Sequence, residues 1–154
     1  MEPRMNIAKL APEAYRHMSG LEQFLADSPL PKTIKELVKL RVSQLNGCAF
    51  CVDMHSHDLK ADGETDERLF SVVTWREAPF FTEQERAALA LAEAATRLDP
   101  SGVPDDVWDQ ATKHFDEPTL AALVVAIATI NAWNRYGVTL RLVPGSLRKP
   151  AVHT

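Results

Sequence analysis

The sequence predicts an all-α fold, a single-domain helical bundle. Three observations predict it. Apolar residues recur with a spacing near 3.6, no stretch alternates as a half-buried strand would, and capping and breaking residues fall between the periodic stretches. The 154 residues suffice for one domain with one sizeable core, and the ten prolines lie mostly between the expected helices.

The first helix is expected from about Ala11 to Asp27. Pro12 suits its first turn, and Met18, Leu21, Phe24 and Leu25 share a face. Pro29 and Pro31 then break the chain. A second helix begins at Lys32 or Thr33, with Ile34, Leu37, Val38, Val42 and Leu45 as apolar positions. Asn46-Gly47 reads as stop and turn, and a third helix follows from near Cys48 to Asp62-Gly63, making a helical hairpin. Thr65 caps a short helix reaching Thr74, and Thr82 with Glu85 forms a capping box for a long helix to about Leu98. Alanines on that helix, Ala87, Ala88 and Ala92 among them, admit close packing. Pro104 opens a helix through about Phe115, and Asp116 caps the last one, to about Tyr136. The single domain is expected to span 1–154, with a core at about 10–145 and a tail at 146–154 that is flexible or contacts a neighbouring subunit.

Composition narrows the function classes. Charged residues make up 25%, the net charge is -4, and there is no basic stripe, which argues against nucleic acid as a partner. The longest apolar run, Leu120 to Ile130, is shorter than the roughly 20 residues a membrane span needs. The N-terminal stretch carries charges and no apolar signal core, so a cytoplasmic protein is expected. Two cysteines three residues apart, in such a protein, point to redox chemistry or a metal.

Those cysteines sit in Asn46-Gly47-Cys48-Ala49-Phe50-Cys51-Val52-Asp53-Met54-His55. On a helix, offsets of three and seven place Cys48, Cys51 and His55 on one stripe. Cβ atoms three residues apart lie about 5–6 Å from each other, within reach of a disulfide after modest adjustment. The first turn of a helix offers unpaired N–H groups and the positive dipole end, which favour a thiolate. His55, one turn further, suits proton transfer. Glu36, on the preceding helix, is placed less firmly. A straight hairpin sets it about 16 Å from the turn at 1.5 Å per residue, level with Leu59 rather than His55. From spacing alone it is equally an ion-pair partner of Lys32 or Lys39. His57 points away from the cysteine stripe.

The pattern Glu36, eleven residues, Cys48-Ala49-Phe50-Cys51, three residues, His55 resembles the alkylhydroperoxidase D-like branch of the carboxymuconolactone decarboxylase family. Further similarity lies in Glu36-Leu37-Val38-Lys39-Leu40-Arg41, Met54-His55-Ser56-His57-Asp58, Ala61-Asp62-Gly63-Glu64, Ala78-Pro79-Phe80-Phe81-Thr82 and Asn131-Ala132-Trp133-Asn134-Arg135. The resemblance implies an all-α homo-oligomer, a trimer or hexamer, that acts as an antioxidant peroxidase with no cofactor beyond a redox-active Cys48–Cys51 disulfide. In that scheme Cys51 attacks the hydroperoxide, Cys48 resolves the sulfenic acid, and Glu36 and His55 relay protons. A dithiol or thioredoxin-like reductant resets the pair. The chain departs from well-studied members in one place: Phe50 stands where they carry a histidine before the second cysteine. Members acting as lactone decarboxylases generally lack the cysteine pair.

Two other readings stand beside this one. The pair suits a disulfide reductase or isomerase acting on a protein or small thiol. A non-enzymatic metal-binding oligomeric module would use Cys48, Cys51 and His55 or His57, although three ligands on one helix make a poor tetrahedron, so no metal is expected. A c-type haem site would need histidine where Val52 stands, and a thioredoxin fold would need βαβ patterning. Asn131, Asn134 and Arg135 are expected to cap a helix or meet another subunit, and Trp75, Trp108 and Trp133 to serve the core or a subunit contact.

Overall fold

The computed structural model describes residues 2–147. Its helices are α1 (Ile7–Leu10), α2 (Pro12–Asp27), α3 (Lys32–Leu45), α4 (Ala49–Ala61), α5 (Asp66–Ser71), α6 (Glu83–Thr96), α7 (Asp105–His114) and α8 (Glu117–Leu140). A 3-10 turn, Val72–Thr74, prolongs α5 to the expected end at Thr74. Among the described residues there is no strand, only one isolated bridge between Asp99 and Gly102. The fold is the all-α helical bundle the sequence predicts, with the C-x-x-C pair on the α3–α4 hairpin. No helix among the described residues is long and apolar enough to cross a membrane.

Local chemistry explains most boundaries. Thr65 and Asp116 accept hydrogen bonds from the backbone of Arg68 and Thr119 in the first turns of α5 and α8. The Thr82–Glu85 capping box has both of its reciprocal hydrogen bonds. Two boundaries differ from the sequence expectation. The four-residue α1 forms because Asn6 caps it, accepting from Lys9 N at 3.1 Å. Helix α8 runs past Tyr136 to Leu140, and Gly137 stays helical within it. The helix ends where Arg141 turns left-handed, at φ 55°. Arg4 then ties the N-terminal segment to the open carbonyls of α8, donating to Thr139 and Leu140.

Helix α3 lies at the centre and packs against α4, α6 and α8. Its residues divide between two buried clusters. Ile34, Val38 and Val42 join α8 residues such as Leu123, Ile127 and Ile130, together with Ala87, Ala88 and Ala92 of α6. Leu37 and Leu40 join Leu59, Val72, Trp75 and Leu89. Of the α6 alanines expected to admit close packing, Ala87, Ala88 and Ala92 are buried, and Ala90, Ala94 and Ala95 are half-buried. The face expected on α2 is only partly covered: Leu25 is buried, whereas Leu21 is 40% and Phe24 50% exposed. After α8 the chain returns to the hairpin, where Gly145 N donates to Asp53 Oδ2 of α4 at 2.9 Å. The rest of the expected tail, 148–154, lies outside the described residues.

Asn134 is buried on α8 and joins it to α3. Its Oδ1 accepts from Asn46 Nδ2 at 2.9 Å, and its Nδ2 donates to Ser43 Oγ at 3.0 Å. Asn131 Oδ1 also accepts from Asn46 Nδ2. This corrects the expectation of caps or subunit contacts for these asparagines: within one chain they hold the α3–α4 turn against α8. Asn134→Ala leaves buried polar groups unpaired and is expected to cost about 1–3 kcal/mol of unfolding free energy. Urea unfolding with an unchanged m-value checks this, and a midpoint equal to wild type would refute it.

Candidate active site

The turn between α3 and α4 is built to present two sulfurs. Asn46 ends α3 in a right-handed conformation, and Gly47 follows at φ 66°, where a side chain is disfavoured. Cys48 is extended and caps α4 as its N-terminal neighbour, its amide donating back to Ser43 O at 3.0 Å. Cys51 follows in the first turn of α4, and its N–H points at Cys48 Sγ. The two cysteines are joined in a disulfide with Cα atoms 5.4 Å apart. Both are almost wholly buried.

One turn further, His55 meets Glu36 directly. His55 Nδ1 and Glu36 Oε2 are 2.8 Å apart. Glu36 thus reaches His55 by a direct hydrogen bond. Both groups are buried, and His55 Nε2 is buried without a hydrogen-bond partner among the described residues. Burial raises the Glu36 carboxyl pKa, but the hydrogen bond and charge of His55, with Lys39 and Lys35, outweigh it and hold it below its ordinary 4.5.

The charges continue from Glu36 toward α2. Lys39, itself buried, lies 3.9 Å from Glu36 Oε1 and 2.5 Å from Glu22 Oε2 of α2. Trp133 Nε1 donates to Glu22 Oε1 at 3.0 Å. Of the two lysines considered for Glu36, Lys39 is therefore the neighbour, while Lys32 pairs with Asp62. Glu22 and Trp133 escaped the sequence reading because they come from α2 and α8. Their one sequence signal is a carboxylate on an otherwise apolar helix face.

These groups open on a cleft of about 920 Å³. Glu36, Cys51 and His55 line it, with Phe50, Met54 and Trp133 as apolar walls. Tyr15 and Tyr136 flank Trp133 edge-on, with ring centroids 5.4 and 5.7 Å away. Cys48 does not reach the cleft and lies behind Cys51 against Gly137 of α8. The structure thus brings all four sequence candidates together while dividing the two sulfurs into a facing and a covered one. His57 stands outside, 3.7 Å from Asp53. Glu36, His55 and Asp58 hold ligand atoms within 4.8 Å of one another and are the described residues with a metal-like spacing.

A buried disulfide, a buried imidazole–carboxylate pair and a cleft touching both make up the candidate site. The chain belongs to the carboxymuconolactone decarboxylase family, whose model matches residues 12–94, and within it to the alkylhydroperoxidase D-like branch. It is 39% identical over 140 residues to the uncharacterized Bacillus subtilis protein YdfG, covering 91% of this chain and 95% of that one. A crystal structure from Agrobacterium tumefaciens, of a protein of unknown function suggested to be the antioxidant-defence protein AhpD, is 40% identical with TM-score 0.89. That match covers 93% of this chain and 98% of the other. The debrominase Bmp8 shares the fold at 20% identity and TM-score 0.78, over 88% of this chain and 73% of its own. The Agrobacterium likeness and the C-x-x-C disulfide together support a peroxidase-related role.

Because His55 holds the Glu36 pKa down, removing the imidazole should let burial raise it. Carboxyl NMR should place Glu36 below 4.5 in the wild type and move it upward in His55→Gln. The depressed value also fixes the sign of the linkage. This carboxylate stabilises the fold above about 4.5, and the contribution fades as pH falls through the lower folded value. An unmoved Glu36 titration in His55→Gln would refute the coupling.

Proposed function

We propose that the protein is a dithiol peroxidase that reduces organic hydroperoxides. The observation that carries this reading is the unequal placing of the sulfurs: Cys51 lines the cleft beside His55 and Glu36, and Cys48 is covered behind it. In the reduced enzyme the Cys51 thiolate, at the first turn of α4, attacks the terminal peroxide oxygen. An S–O bond forms, the O–O bond breaks, and the departing alkoxide takes a proton and leaves as an alcohol. His55, its Nδ1 held by Glu36, has Nε2 free to carry that proton. The Cys48 thiolate then attacks the Cys51 sulfenic sulfur. The S–S bond forms, and the hydroxyl leaves as water after protonation. An external dithiol or thioredoxin-like protein supplies the two electrons that restore the thiols.

The exposed Leu21 and Phe24 on α2 suit the homo-oligomer that the family resemblance implies.

Cys51→Ser should abolish dithiol-dependent hydroperoxide turnover. Cys48→Ser should leave a Cys51 sulfenic acid that a dimedone-type reagent traps after one equivalent of peroxide. Adducts on neither cysteine, or full turnover by Cys51→Ser, would sink the peroxidase reading.

With Phe50, Met54 and Trp133 on the cleft walls, an aromatic hydroperoxide gains apolar burial that hydrogen peroxide cannot. A kcat/KM for cumene hydroperoxide at least about tenfold above that for hydrogen peroxide is expected, since burying two methylene equivalents is worth about 1.6 kcal/mol. Equal values would remove the cleft from substrate selection.

A further inference from the structure

We propose that Gly137 is a positioning residue for the thiol–disulfide step: the space left by its missing side chain is the seat that Cys48 Sγ occupies when bonded to Cys51. A glycine inside a helix costs about 1 kcal/mol relative to alanine. At Gly20, also helical, an added Cβ would meet nothing within 4 Å. At Gly137 it would stand 2.5 Å from Cys48 Sγ and 3.4 Å from Cys51 Sγ. The backbone at 137 is ordinary helix, so the glycine is required by the sulfurs and not by a left-handed φ.

Cys48 has little freedom to retreat. Its amide is tied to Ser43 O, and the preceding Asn46 is tied to Asn131 and Asn134 of α8 itself. The same hydrogen bonds that dock the turn on α8 therefore press the sulfur onto position 137. In the disulfide the Cys48 side chain is fixed by its bond to Cys51, so a methyl at 137 must collide with it. In the dithiol the same side chain is free to change rotamer and relieve the contact. A Cβ at 137 therefore opposes the oxidised state more than the reduced one.

The inference rests on the pair cycling, and not on a peroxide being its oxidant. The reaction to measure is exchange with dithiothreitol. The protein disulfide gains two electrons and two protons and becomes two thiols, while reduced dithiothreitol loses them and closes its own disulfide. Full-length wild type and Gly137→Ala are equilibrated across ratios of reduced to oxidised dithiothreitol, and thiols are counted by alkylation and mass. The expected result is a shift of at least tenfold toward the dithiol, about 30 mV for a two-electron couple. An unchanged equilibrium, or a shift toward the disulfide, would overturn the proposal.

A second measurement separates a seat for sulfur from general damage to α8. Gly137→Ala should lower the Tm of the oxidised protein. In a Cys48→Ala background, where the sulfur is gone, it should be neutral or raise the Tm, because alanine favours helix. Folding of the double variant where Gly137→Ala alone fails to fold would also support the seat. An equal loss of Tm in both backgrounds would refute it. Neither readout uses peroxide, so loss of the peroxidase assignment would leave both results standing.

Discussion

The placing of Cys51 and His55 in the cleft depends on how the turn from α3 to α4 is fastened to α8. Asn46 gives both hydrogens of its amide to Asn131 and Asn134, and Asn134 returns a hydrogen to Ser43. A turn closed only by its own backbone would leave α4 free to rotate about its first residues. Fastening it from the side fixes the direction of α4, and with it the positions of Cys51 and His55. The cost of burying these amides is met because each is paired, which is the condition under which polar groups are tolerated inside a protein.

The charged groups beyond Glu36 obey the same condition with higher stakes. Four ionisable side chains, Glu22, Lys39, Glu36 and His55, run in contact from α2 through α3 to α4. Removing one member would strand a charge in a poorly solvated place, which costs far more than a surface pair contributes. The arrangement holds His55 by one nitrogen and leaves the other unpaired. An imidazole held in this way keeps its orientation while one ring atom remains available for a proton.

Much of the fold could be read from the residues, because caps and breakers act over three or four positions. The Thr82–Glu85 box, the Asp116 cap and the Asn46-Gly47 turn all stand where those residues place them. Cys51 and His55 were legible as neighbours on α4 for the same reason, whereas Cys48 stands just before the helix in an extended conformation that the stripe did not anticipate. Glu36 was not fixed by spacing, since its reach to His55 depends on two side chains whose directions no periodicity encodes. Glu22, Trp133 and the asparagines of α8 were harder still. Their roles arise from partners 85 to 111 residues away, and a polar residue on an apolar face reads the same whether it caps, meets another subunit or reaches a neighbouring helix. Gly137 shows the limit clearly, because a position defined by what it lacks has no pattern of its own.

The ends of the described chain meet over the reactive hairpin. Arg4 is bonded to residues 135 positions away in sequence, and Gly145 to Asp53 on α4. Pro3, Met5, Leu142 and Leu147 come from these end segments and wall the same cleft as Cys51. The sulfurs and the imidazole–carboxylate pair, by contrast, all come from within one hairpin, only 19 residues separating Glu36 from His55. Part of the cleft wall is therefore encoded outside the hairpin, beside the Phe50 and Met54 that the hairpin itself contributes. Substitutions near either end can reshape what the cleft admits while the reactive hairpin keeps its geometry.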